Sequence, residues 1–104
     1  MTERMLPQVK RKLNITWNDD DTNDRLNDII QSAIPVMLHK LGIADPDFDF
    51  SAAGAENVLF LAYCLYEFNH SLSEFDDNYS NMIAQVRAQH EVKYHENSEV
   101  DDGE

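Results

Sequence analysis

Basic residues are scarce in this 104-residue chain: eight Lys and Arg stand against twenty Asp and Glu, for a formal charge of -12 and a pI near 4.4. A surface that grips nucleic-acid phosphate needs a net cationic footprint, so any contact with DNA or RNA is expected to be repulsive. The single cysteine, Cys64, excludes an intrachain disulfide and a Cys-rich zinc site, and it suits a reducing compartment. Three glycines, at positions 42, 54 and 103, are too few and too scattered for a phosphate-cradling loop. Long apolar runs are also missing. The longest, Val58 to Tyr66, is about half of the roughly twenty residues that span a bilayer. No apolar stretch follows the N-terminal cations, so no signal peptide is expected. The length leaves room for one core only.

What is present is helical periodicity. Leu6, Val9 and Leu13 predict a short amphipathic helix over residues 5–13 with a basic opposite face, and Pro7 is placed in its first turn, where a missing N–H costs little. The Asn- and Asp-rich stretch 14–21 breaks this pattern and offers side-chain oxygens to cap a second helix. That helix, from Thr22, carries Leu26, Ile29, Ile30, Ala33, Ile34, Met37, Leu38 and Leu41 on one face and ends at Gly42. Pro35 predicts a kink near Gln31, with a break into two shorter helices as the competing reading. Residues 43–51 read as a loop whose two Phe tuck under it, and Ser51 is the expected cap of a third helix. The apolar run 58–66 marks that third helix as the central element, covered by its neighbours. A fourth helix repeats Phe75, Tyr79, Met82, Ile83, Val86 and His90, with caps offered by Asn69-His-Ser-Leu-Ser73.

Apolar residues stop near Lys93. The expected organisation is therefore a helical domain over 1–93 and an acidic flexible tail over 94–104, which has too little apolar surface to order itself alone. With almost no period-two alternation, the predicted fold class is all-α, a small bundle of about four helices with a disordered acidic C-terminal tail.

Chemistry-bearing constellations are weak. His90 and His95 are five residues apart, off the four-residue spacing that puts two imidazoles on one helix face. His39 and His70 read as exposed helix-end residues, and Cys64 as a small core residue without a base beside it. Asp45, Asp47, Asp49 and Glu56 fall at the ligand spacing of a calcium-binding loop, but Phe50 stands where the sharp turn needs Gly, so the reading of a capped polar loop is preferred. Asp19, Asp20 and Asp21 suit a helix N-terminus. The aromatic set Phe60, Tyr63, Tyr66, Phe68, Phe75 and Tyr79 reads as core. No nucleophile, base or metal constellation supports an enzyme, and neither a cofactor nor a metal is expected.

The order of these elements carries a resemblance. A short basic helix (Leu6-Pro-Gln-Val-Lys-Arg-Lys-Leu13), an Asp-rich turn opening a long helix (Asp19 to Ile30) that ends at Leu41-Gly42, an apolar third helix, and Tyr66-Glu-Phe-Asn-His70 leading to Glu74-Phe-Asp-Asp-Asn-Tyr79 resemble the head-tail connector, or adaptor, proteins of tailed bacteriophages over residues 5 to about 90. The resemblance implies a non-enzymatic virion protein that assembles in the host cytoplasm and forms a ring below the portal. The ring would extend the DNA channel and offer a docking surface to a stopper or tail-completion protein. Its partners would be the portal, that completion protein and itself in about twelve copies; DNA would pass without specific binding, and no membrane is involved. The family's portal-ordering C-terminal segment would fall on Glu91, Tyr94, Glu96, Glu99, Asp101, Asp102 and Glu104. On physical grounds, a repeating contact could pair the basic first helix (Arg4, Lys10, Arg11, Lys12) with an acidic patch of the next subunit, such as the start of the second helix (Asp19, Asp20, Asp21, Asp24, on to Asp28) or the loop Asp45 to Asp49. The competing reading is a small acidic binding module, such as a DNA-mimic inhibitor or an anti-regulator, which needs carboxylates spaced like phosphates along one face.

Overall fold

Four α-helices and no strand make up the described residues: α1 (Thr2–Lys12), α2 (Asp20–Lys40), α3 (Ala55–Phe68) and α4 (Leu72–Asp101). The computed structural model describes the backbone of residues 2–101 and the side chains of residues 2–91. The all-α expectation holds. Helix α4 runs past position 93, where composition places the domain boundary; the tail proposed for 94–104 falls outside the residues whose side chains are described.

Helix α3 packs against α1, α2 and α4 and supplies Leu59, Phe60, Ala62, Tyr63 and Cys64 to the core. Opposite them lie Met5 and Val9 of α1, Leu26, Ile30, Ala33 and Met37 of α2, and Phe75 and Val86 of α4. No polar or charged residue among those described is fully buried. The 3.6-residue pattern therefore translates directly into a single apolar interior, with Tyr79, Met82, Ile83 and His90 half-buried along the inner face of α4.

Several local expectations are corrected. Helix α1 begins at Thr2, so Pro7 lies inside it, and its buried residues are Met5 and Val9, while Leu6 and Leu13 are half-buried. Helix α2 continues through Pro35 without dividing; Pro35 and Gln31 are both on the exposed side, where water can take up the carbonyl that the proline ring leaves without a donor. Ser51 does not cap α3. The cap position is Gly54, without a side-chain hydrogen bond, because Ser51 donates through its N–H and hydroxyl to Asp49. Nor is α3 wholly covered: Val58 is 48% exposed.

The ends of α1, α2 and α3 share one solution. Asn14 (φ 59°), Gly42 (φ 63°) and His70 (φ 58°) sit in the left-handed region immediately after each helix. In each case the next residue's N–H reaches back across six residues: Ile15 to the Lys10 carbonyl (2.9 Å), Ile43 to Leu38 (2.9 Å) and Ser71 to Tyr66 (2.8 Å). Paired with the Asn14–Arg11, Gly42–His39 and His70–Glu67 bonds, these are Schellman turns, which satisfy the last carbonyls of each helix. The sequence announces only the glycine.

These turns respond oppositely to substitution. A methyl group on Gly42 would lie 3.1 Å from Arg87 Cγ and would hold a β-carbon in the left-handed region, so Gly42→Ala is expected to cost about 1–2 kcal/mol. His70→Gly removes the same strain and is expected to gain up to about 1 kcal/mol. Urea titrations of both variants, monitored by helix signal, check the opposite signs.

Candidate interaction surfaces

The loop between α2 and α3 is organised by its phenylalanines. Phe50 is fully buried, its ring 4.8 Å from Phe60 and 5.1 Å from Phe48, which meets His90 edge-on at 5.7 Å. Three of the four carboxylates at calcium-loop spacing, Asp45, Asp49 and Glu56, are engaged separately. Asp45 accepts from the Asp47 N–H (2.9 Å), and Asp49 accepts from Ser51 and lies 3.6 Å from Arg4. The Ser51 hydroxyl and then the Ser51 N–H hold the Asp49 carboxyl below its ordinary pKa, with Arg4 adding to the effect. Glu56 is taken by His90, Nε2 to Oε2 at 2.8 Å, across the α3–α4 interface. No group of three His, Cys, Asp or Glu side chains among the described residues is placed to hold a metal ion. The buried Phe50 occupies the position a calcium loop gives to an exposed turn.

Cations divide into two sets. The described cations outside α1, Arg25, Lys40 and Arg87, close helix ends and interfaces. Arg25 of α2 stacks 4.3 Å over the Phe68 ring and donates to the Phe68 carbonyl (3.0 Å), at the C-terminus of α3. Arg87 of α4 donates to the His39 carbonyl (3.1 Å) and the Lys40 carbonyl (3.4 Å), at the C-terminus of α2, while its Nε meets Glu91 at 3.2 Å. Lys40 pairs with Asp76 at 2.8 Å. A guanidinium at the carbonyl end of a helix complements the macrodipole as well as the hydrogen bonds. Nothing in a single sequence pairs residues that are more than forty positions apart.

The second set is on α1. Arg4 reaches only Asp49, and Lys10 donates to the Asn18 amide oxygen at 3.3 Å. Arg11 and Lys12 are exposed and make no hydrogen bond or ion pair among the described residues. Asp19 caps α2, accepting from the Thr22 N–H (3.1 Å) and hydroxyl (3.0 Å), as the sequence predicts. Asp20, Asp21 and Asp24 are exposed and carry no ion pair among the described residues. Within the chain, then, the basic and acidic candidates are not paired with each other. Of the candidate tail residues, Glu91 is exposed and bonded to Arg87, and the others lie outside the described side chains.

Open grooves flank this arrangement. One, of about 450 Å³, lies between the end of α2 and α4 and is lined by Leu38, Gly42, Ile43, Arg87 and Glu91. A second, of about 470 Å³, runs between α1 and α3 and is lined by Gln8, Arg11, Lys12, Ala53, Asn57 and Leu61. Trp17, in the turn after α1, is 54% exposed. No helix of the described residues is long and apolar enough to cross a membrane. Cys64 is buried, and that burial, with Glu67 nearby, pushes its thiol up to about 12, which suppresses thiolate chemistry at neutral pH.

Comparison with family models, with curated proteins and with solved structures finds no match to this chain.

Glu67 supplies a pH test of the interior. Burial raises its pKa above 4.5, and its Oε2 is enclosed without a hydrogen-bond partner. Because the folded protein disfavours the carboxylate, Glu67 lowers stability at every pH above its folded pKa, and the penalty fades as pH falls through that value toward 4.5. Glu67→Gln is expected to be more stable than the parent at pH 7, with the difference closing in acid. Paired denaturation curves at the two pH values check the sign.

Proposed function

We propose that this protein is a head-tail connector, or adaptor, of a tailed bacteriophage, forming a ring below the portal and carrying the channel toward a stopper or tail-completion protein. The observation that carries the reading is the division of charge: a cationic α1 whose Arg11 and Lys12 find no partner among the described residues, beside an α2 whose first-turn carboxylates find no ion pair among them either. Such surfaces suit a contact repeated between identical subunits, which closes into a ring when the rotation per subunit divides a circle. The resemblance in element order, and a bundle of four helices whose last extends about 45 Å, support the same reading.

The acidity then has a role in the bore. About twelve copies at -12 each would place roughly 140 negative charges around the channel, a potential that opposes adhesion of passing DNA. The same charge keeps unassembled subunits soluble. In this reading the virion is the destination and the host cytoplasm the place of assembly, with residues from Glu91 onward meeting the portal.

Electron microscopy of the purified protein mixed with its portal tests this: ring density seated on the portal is expected, and bare portals would contradict it. A second expectation is that deletion of residues 95–104 leaves thermal unfolding nearly unchanged and weakens portal attachment. A large loss of helix signal in the bundle would contradict that assignment.

A further inference from the structure

Helix α3 is apolar nearly all round, yet the fold covers only part of it. Val58, Leu61 and Leu65 follow one another at i, i+3 and i+7, and so share one face. Val58 is 48% exposed, and Leu61 and Leu65 are half-buried. Leu61 also lines the groove between α1 and α3, to which α1 contributes Arg11 and Lys12. This makes an apolar strip bordered by two cations that make no hydrogen bond or ion pair among the described residues. The turn after α1 has the opposite character. Trp17 is the most exposed large hydrophobic residue of the described chain, and it is followed by Asp19, Asp20 and Asp21.

We infer that the groove between α1 and α3 is the seat for a second copy of this chain, which inserts Trp17 against Val58 and Leu61 and sets Asp20 and Asp21 against Arg11 and Lys12. The inference rests on the ring reading and deepens it by naming the contact. Charge and apolar complementarity select the occupant: an acidic border with an aromatic anchor is what the groove lacks, and the chain presents it on another surface. The indole supplies a large, rigid apolar area of the kind that anchors interfaces, while the charges fix register and exclude the inverted pairing. The contact is heterologous, since groove and anchor are different patches, so it propagates from copy to copy.

The test is sedimentation of the purified full chain over a range of concentrations and salt, with circular dichroism to confirm that each variant is folded. The parent is expected to self-associate, and less so at high salt because bordering charges are screened. Arg11→Glu with Lys12→Glu should weaken association by at least about 100-fold, as should Asp20→Lys with Asp21→Lys. Mixing the two double variants should restore it, since each then offers the sign the other lacks. Trp17→Ala and Val58→Asp change exposed residues and should abolish association without loss of helix. A parent that stays monomeric at all concentrations overturns the inference, as does association untouched by these substitutions. Binding of the portal by a chain that does not self-associate removes this contact and leaves the connector reading standing; self-association through the groove with no portal binding does the reverse. If Arg11→Glu with Lys12→Glu abolishes portal binding but leaves self-association intact, the groove belongs to the portal and the inference falls.

Discussion

Burial of Phe50 is the contact on which the rest of the arrangement depends. The ring fills the space between the loop and α3 at zero exposure, a burial worth about 2–3 kcal/mol. Its main chain is tied as firmly as its side chain: the Phe50 carbonyl accepts from Asn57 Nδ2 (2.8 Å), which also donates to Gln8 Oε1 (2.7 Å), while Gln8 Nε2 donates to the Ser51 carbonyl (3.0 Å). Phe48 carries the same cluster to His90 on α4, where the 2.8 Å contact with Glu56 lies. One acidic loop thereby orients α1, α3 and α4 at once. The α1–α3 groove exists because Gln8 and Asn57 hold those helices at the distance that this network sets.

Scarcity of cations gives the second constraint its force. With eight Lys and Arg in the chain, Arg25, Lys40 and Arg87 are committed to joining helices, each at a helix end or against a facing carboxylate. Exposed pairs of this kind contribute little individually, so their value is in angle and register more than in free energy. Of the five cations left over, four (Arg4, Lys10, Arg11 and Lys12) lie on α1, and none of these four pairs with a carboxylate of α2, an arrangement that suits the proposed repeated contact.

Much of this was legible in the sequence. The apolar spacing of α2 and α4, the Asp19 cap, the Gly42 terminus, the core placement of Cys64 and the exposure of His39 all follow from local periodicity and capping chemistry. The left-handed roles of Asn14 and His70 were hidden, because only glycine advertises that conformation. The cap of α3 was misplaced because a serine near a helix start has two uses, and here Asp49 claims it. Residues whose partners lie more than thirty positions away, such as Glu56 with His90 and Arg87 with the end of α2, leave no trace in spacing. The uncovered side of α3 was hidden for the same reason: an apolar run states that a helix is to be covered, and does not say by which molecule.

Trp17 is the only tryptophan in the chain, and it lies exposed beside the acidic start of α2, so its fluorescence reports the state of that surface without a label. The most direct measurement is its emission wavelength as the protein is concentrated from the monomeric range into the assembled one. A shift to shorter wavelength that tracks the rise in mass, and reverses in high salt, is the result expected if the indole enters a neighbour's apolar groove. An emission maximum that stays at its solvent-exposed position while the mass rises would contradict it.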